Sequence, residues 1–273
     1  MDVGKLVEDF ATWNLRQIEV YRDLISTKDD KGIFPPYVPF VGKSYEQFRI
    51  LIYAKAQNTP FGDKGLENTT TEQKVGQLCD KTTYRDVAIA PYNSGVIPSL
   101  VGIYLYAKEH IRIESLDEIH NRLAVTNYYK FSLNKKGRDI NPDYLGKVPD
   151  PKDPARLCDP IPYRELNNKL CKHELDFLKP RTILSFKGWH NSFLRDGGYN
   201  VVEISDPAFI LYGGGGHFRK GGRYYDAAES VKDATAKELA KSYSEKCGGR
   251  YKTMNKIDSV RIYLLKYYSD WQA

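Results

Sequence analysis

Amides, a carboxylate and basic side chains stand at the ends of apolar runs in this chain. The run RILIYAKAQ (49–57) opens with strand formers and turns polar at Gln57 and Asn58, as a buried parallel strand does when it delivers a loop to a site. Three further runs end the same way: AVTNYYKFSL (124–133) carries Asn127, RTILSF (181–186) leads to Lys187 and His190, and VVEIS (201–205) leads to Asp206. A carboxamide offers donors and an acceptor on one flat group. A carboxylate stabilises positive charge or orients water, and a histidine gives or takes a proton near pH 7.

The segment YGGGGHFRKGGRYY (212–225) follows the last of these runs. Its glycines allow close backbone approach, and His217, Arg219, Lys220 and Arg223 could hold phosphates. It lacks the GxxxxGK[ST] pattern, so nucleoside triphosphate binding is not expected.

These residues need a frame. Leu6, Phe10, Trp13, Val20 and Leu24 form the apolar stripe of an amphipathic helix over about 4–27. TKDDKGIFPPYVPF breaks it, and residues 59–90 are polar and irregular. A helix in PYNSGVIPSLVGIYLYAKEHI takes Asn93 or Ser94 as its cap. A proline-rich connector (141–162) leads to a helix in RELNNKLCKHELDFL, stopped by Pro180, and WHNSFLRDGGY holds another. The charged stretch 226–246 reads as a surface helix, and Ile257, Val260, Leu264, Tyr267 and Trp271 mark a last helix packed on the core. His110, His120 and His173 fall in helical stretches and read as surface residues.

Strands alternating with helices predict a three-layer α/β/α domain around a central, mostly parallel four-stranded sheet. The whole chain reads as one domain, with the N-terminal helix and C-terminal helices (about 226–271) packed on it. In such sheets the site lies at the carboxyl ends of the strands, which is where the polar residues above fall.

The 273 residues carry 41 basic and 35 acidic side chains, a surplus of +6 that fits a polyanion without requiring one. Cys79, Cys158, Cys171 and Cys247 are widely spaced, which argues against a zinc ribbon or a disulfide scaffold and for a reducing compartment. No apolar run reaches membrane-span length and MDVGKLVEDF is no signal peptide. A cytoplasmic monomer is expected.

Taken in order, the segments resemble the uracil-DNA glycosylase superfamily over roughly 49–210. RILIYAKAQN stands where that group has a strand and a loop written GQDPYH, GEAPG or GINPG, so Lys55, Ala56, Gln57 and Asn58 are the matching positions. PYNSGVIPSLVGIYLYA is similar to a PF-x-GPAG-x-LL element and puts Tyr92 at the base-stacking position. TNYYK matches TN-x-x-K, with Asn127 as base reader. CKHELDFLKPRTILSFKG matches a helix and strand of the form C-x-x-x-L…LKPK-hydrophobic-LG, and ISDPAF replaces an HPS-type loop, with Asp206 at the histidine position. Ala56 stands at the aspartate position of GQDPYH. The resemblance implies uracil or, favoured by the altered first and last motifs, another modified base such as a hypermodified pyrimidine of foreign DNA. Only Cys171 falls near a cluster-ligand position of the iron–sulfur members, so no metal, cluster or other cofactor is expected.

The resemblance implies an enzyme that flips a base out of DNA and hydrolyses its glycosidic bond, in repair or in defence. Cleavage develops positive charge on the sugar and negative charge on the base. Gln57, Asn58 and Asp206 are the candidates beside the sugar. Tyr92, Asn127, Lys55 and His190 are those around the base, and His217, Arg219, Lys220 and Arg223 those for the DNA backbone. The alternatives are a DNA-binding protein without catalysis on the same fold and a hydrolase of small nucleosides or nucleotides.

Overall fold

The computed structural model describes residues 8–9, 12, 33–34, 39–54, 95–128, 132–133, 148–150, 153–158, 161–186, 190–212 and 214–272. Its strands are β1 (Ile33–Phe34), β2 (Phe40–Val41), β3 (Ile50–Ala54), β4 (Leu123–Asn127), β5 (Ser132–Leu133), β6 (Val148–Asp150), β7 (Asp153–Cys158), β8 (Thr182–Phe186) and β9 (Val201–Ile204). Its helices are α1 (Val96–Glu109), α2 (Leu116–His120), α3 (Ile161–Leu178), α4 (His190–Asp196), α5 (Ala208–Tyr212), α6 (Arg223–Ser230), α7 (Ala234–Lys246), α8 (Gly249–Thr253) and α9 (Ile257–Gln272). The expected helix over 4–27 lies outside the described residues except at Glu8, Asp9 and Thr12, which are helical.

The central sheet has the order β2-β4-β3-β8-β9. β4, β3, β8 and β9 run parallel, and β2 pairs antiparallel with β4 through Phe40↔Val125 and Val41↔Ala124. The sheet is thus five-stranded where four strands are expected. The extra strand escapes sequence reading because it spans two residues behind a run of prolines, and an edge strand tolerates such neighbours. A second difference lies in the proline-rich connector. β6 and β7 form a two-stranded antiparallel hairpin there, with Val148↔Cys158 and Pro149↔Leu157 in register.

Every residue of β3 is buried, which suits the unbroken apolar run ILIYA at the centre of a parallel sheet. Ile50, Ile52, Leu123, Val125, Leu184 and Ile204 face a layer made of α1, α6, α7 and α9. On the opposite face Tyr53, Thr126 and Ser185 meet α3 and α4. The arrangement is three-layered.

α9 contributes Val260, Tyr263, Leu264, Tyr267 and Trp271 to the first layer, and Trp271 meets the Tyr104 ring edge-on at 5.2 Å. Each such large side chain stabilises by about 1.5–3 kcal/mol on burial. The stretch 226–246 is two helices, not one surface helix. Asp233 interrupts it by accepting the Ala236 N–H at 2.9 Å as the cap of α7, and the Tyr106 and Tyr268 hydroxyls also donate to its carboxylate. α7 then buries Leu239, Ala240 and Tyr243.

α1 is capped by Gly95, at φ 83°, instead of by Asn93 or Ser94, which lie outside the described residues. A glycine takes that left-handed conformation without strain. His120 is 5% exposed against Phe40, contrary to its reading as a surface residue, because the extra strand β2 covers it. His110 is exposed, and His173 is half-buried with its pKa lowered by burial.

The chain reverses its direction of winding at β3. From β3 it crosses through α1 on one face to β4, and from β4 it returns through α3 on the other face to β8, on the far side of β3. The crevice of a doubly wound sheet forms at such a reversal, outside the carboxyl ends of the two strands involved. Here those ends are Ala54 and Phe186.

Candidate functional site

Strand register brings the polar segments to one edge of the sheet. Ala54 pairs with Asn127, Tyr53 with Ser185, and Phe186 with Ile204. The carboxyl ends of the four strands, Ala54, Asn127, Phe186 and Ile204, therefore lie side by side. Lys55, Gln57, Asn58, Tyr92 and Lys187 lie outside the described residues.

Asn127 is 5% exposed, at the last position of β4. Strand alternation puts its side chain on the same face as Leu123 and Val125, toward the layer that contains α1. Among the described residues its carboxamide has no hydrogen-bond partner. The backbone around it is fixed. The Tyr128 N–H donates to the Ala54 carbonyl at 2.8 Å, which carries the β3–β4 ladder one residue past the strand. On the opposite face the Thr126 hydroxyl donates to the buried Glu174 carboxylate at 2.5 Å. The Cys171 thiol donates to the Tyr128 carbonyl at 3.2 Å, and the Tyr128 hydroxyl donates to Asn168 Oδ1 at 2.8 Å. Thr126 and Tyr128 thus hold the end of β4 from α3 while Asn127 faces the other way.

A tyrosine cage forms at the end of β9. The Tyr267 hydroxyl accepts the Ser205 N–H at 2.6 Å, the Tyr263 hydroxyl donates to the Ser205 carbonyl at 2.5 Å, and Ser205 Oγ lies 3.0 Å from the Tyr224 hydroxyl. Burial holds the Tyr263 hydroxyl far above the usual phenol range, so it stays protonated and donates at any physiological pH. Asp206 follows directly. Its carboxylate accepts the Ala208 N–H at 2.8 Å and caps the short helix α5. Desolvation by the surrounding chain raises the Asp206 pKa against the lowering effect of that N–H, although the residue keeps an exposed surface. Sequence reading missed Ser205, Tyr224 and Tyr263 and took Tyr267 only as core. A clustering of tyrosines in the last helix was the available signal, and only the packing of α9 beneath β9 gives it a target.

The glycine-rich segment is a compact turn. His217 and Phe218 N–H groups donate to the Gly214 carbonyl, and Tyr224 and Tyr225 N–H groups donate to the His217 carbonyl. Phe218 is the buried plug, packed on Phe209 and Tyr224. A Cβ at Gly222 would stand 2.3 Å from the Gly216 carbonyl oxygen, so the chain can close here only without a side chain. His217, Arg219, Lys220 and Arg223 are left exposed on the surface of this turn. The His217 ring rests on Phe209 of α5 at 5.5 Å, which ties the turn to the helix that Asp206 caps.

His190 begins α4, whose position is fixed from β8 and β9. The Ser185 hydroxyl donates to Asn191 Oδ1 at 2.5 Å, Asn191 Nδ2 donates to Glu203 at 3.0 Å, and Arg195 joins the same carboxylate at 2.6 Å. The start of α4 is therefore held beside the carboxyl end of β8.

Asp206, His217, Arg219, Lys220 and Arg223 form one neighbourhood around α5, whereas Asn127 stands apart from them. β3 and β8 lie between the strands that carry Asn127 and Asp206. Three strand spacings amount to roughly 14 Å, so these two residues meet only through a ligand about the size of a nucleotide laid across β3 and β8. Such an arrangement can present an amide to one end of a ligand and a carboxylate and cations to the other. Among the described residues no three His, Cys, Asp or Glu side chains converge as metal ligands would, and no helix is long and apolar enough to cross a membrane. Compared with known proteins, the sequence matches no protein-family model and no curated protein.

Proposed function

We propose that the chain is a DNA glycosylase that receives an extruded base in the crevice above β3 and β8 and hydrolyses its glycosidic bond. The observation that carries this reading is Asn127. At a 5% exposed position its carboxamide has no hydrogen-bond partner among the described residues, and a base edge is a ligand that would satisfy both its donor and its acceptor. The rigid end of β4 supports the role, since base discrimination requires a fixed amide.

Asp206 is the described group suited to stand near the sugar, where positive charge develops as the bond breaks. In this reading Gln57 or Asn58 orients the water, Tyr92 stacks on the base, Lys55 and His190 offer donors to the departing base, and the turn 217–223 holds the phosphates. The exposed cations favour a polymer over a small nucleoside, which would leave them without a use. A bulky modified pyrimidine suits the alteration to Ala56 and Asp206 better than uracil does.

Incubation with DNA containing uracil, hypoxanthine, or hydroxymethylated or glucosylated cytosine tests the proposal. Abasic sites and released base are expected from at least one of these substrates, and lost on Asn127→Ala. Salt-sensitive DNA binding with no release from any substrate would replace the enzyme with a non-catalytic DNA-binding protein.

A further inference from the structure

The arginines whose side chains are described fall into two groups, paired and unpaired. Arg112, Arg122, Arg181, Arg195 and Arg261 each lie within ion-pair distance of a carboxylate. Arg219, Arg223 and Arg250 are exposed and have no carboxylate partner among the described residues. Arg49, also exposed and without a carboxylate partner, precedes β3 at the opposite edge of the sheet. Lys220 adds a fourth exposed cation, also without an acidic partner, beside Arg219. Three exposed arginines without a carboxylate partner therefore gather around α5 and α8.

The same surface carries the most exposed large aromatic side chain among the described residues. Tyr212, the last residue of α5, is 68% exposed. Its ring is not loose, because Arg250 of α8 donates a hydrogen bond to the Tyr212 hydroxyl at 2.5 Å. Met254, just past α8, is 48% exposed as well. An aromatic face fixed by a guanidinium and flanked by unpaired cations has one obvious complement, an unpaired strand whose bases stack and whose phosphates neutralise charge. A duplex hides its base faces and could use only the charges.

We propose that Tyr212, Arg250 and the turn His217–Arg223 form a platform for single-stranded DNA beside the crevice, with a base stacked on Tyr212 and phosphates held by Arg219, Lys220, Arg223 and Arg250. α5 is its spine, since Phe209 carries the basic turn through His217 and Tyr212 carries Arg250. The inference deepens the glycosylase reading by naming its substrate as an unpaired strand, and its test is separate from that of catalysis.

Fluorescence anisotropy with labelled single-stranded and duplex oligonucleotides of one sequence, read across a salt series, decides it. The expected result is tighter single-strand binding by the full chain. Tyr212→Leu should weaken it about ten-fold with an unchanged salt slope, since stacking carries no counterions. Arg250→Gln should weaken it and lower the slope by about 0.7, as loss of one phosphate contact does on a single strand. Arg112→Gln, at a paired arginine remote from the platform, should change neither. Binding equal to wild type in both platform variants, or a clear preference for duplex, overturns the platform and leaves the glycosylase reading standing if abasic product still forms. Single-strand binding lost in the variants as expected, with no abasic product from any substrate, keeps the platform and removes the glycosylase. No DNA binding by the wild type removes both.

Discussion

Replacing Asn127 by leucine separates a functional amide from a structural one. Leucine matches the branched shape of asparagine but exchanges the carboxamide for methyl groups. Asn127 is 5% exposed and gives up no hydrogen bond to a described residue, so the substitution breaks no protein hydrogen bond and adds apolar burial, worth about 1 kcal/mol for one or two methyl groups. Overpacking by the larger methyl groups would cost about 1–3 kcal/mol in the opposite direction. The two effects nearly offset, so the net expectation is a stability within about 1 kcal/mol of wild type, and at about 2–4 °C per kcal/mol for a chain of this size the Tm should hold within a few degrees. Base release should fall at least 100-fold, because a site built to hydrogen-bond its substrate discriminates strongly once the partner group is gone. Thermal unfolding followed by circular dichroism, beside an abasic-site assay on the same preparations, measures both. A Tm lowered by more than about 5 °C, or base release equal to wild type, would refute the reasoning: the first would make the amide a structural group and the second an idle one.

Four further outcomes follow from the geometry. Asp206 has a raised folded-state pKa, so its ionisation opposes folding: relative to Asp206→Asn, the wild type should lose stability as pH rises from about 3.9 through the folded value, while base release requires the carboxylate, as paired pH-dependent melts and activity assays would reveal. For Asp233, burial opposes ionisation but hydrogen bonds from Tyr268, the Ala236 N–H and Tyr106 outweigh it and lower the pKa; this stabilisation is present above the unfolded value and lost as pH falls through the folded one, so acid denaturation curves of Asp233→Asn, which keeps a capping side chain, should lack that component, while Asp233→Ala should in addition lose the cap, about 1 kcal/mol of stability at pH 7. Glutamine at Arg219, Lys220 and Arg223 together should weaken DNA binding and reduce the salt slope by about 2, at roughly 0.7 per contact on a single strand. Burial pushes the Cys247 thiol up to about 11, so at pH 8 only about one thiol in a thousand is ionised, and iodoacetamide followed by mass spectrometry should label it only on unfolding.

The four parallel strands were legible because each is a short apolar run with strand formers, and a strand buried on both faces has to read that way. The polar exits after them were legible for a related reason. An apolar run that turns polar, as at Asn127 or Asp206, has reached the end of its strand, and the carboxyl edge is where a parallel sheet releases its loops. β2 and the β6–β7 hairpin were not legible. Two paired residues carry no periodicity, and prolines argue against strands except at the unpaired edges where these lie. The interruption at Asp233 was equally hidden, because the Tyr106 and Tyr268 hydroxyls that hold it arrive from α1 and α9.

The sequence by itself thus determined the fold class, the order of the strands along the chain and the edge that carries the candidate site, since local composition and hydrophobic period report burial directly. Which residues share a neighbourhood was decided by the tertiary structure. Strand order in space, β4-β3-β8-β9, separates Asn127 from Asp206, and packing of α9 under β9 supplies the tyrosine cage that fixes Ser205. The pairing of five arginines with carboxylates, which leaves Arg219, Arg223 and Arg250 unmatched on one surface, is likewise a property of the folded chain. Charge compensation acts through space, in pairs as local as Arg122–Glu118 and as distant as Arg181–Glu109, so neither net charge nor a run of basic residues reveals which charges a fold will leave for a partner.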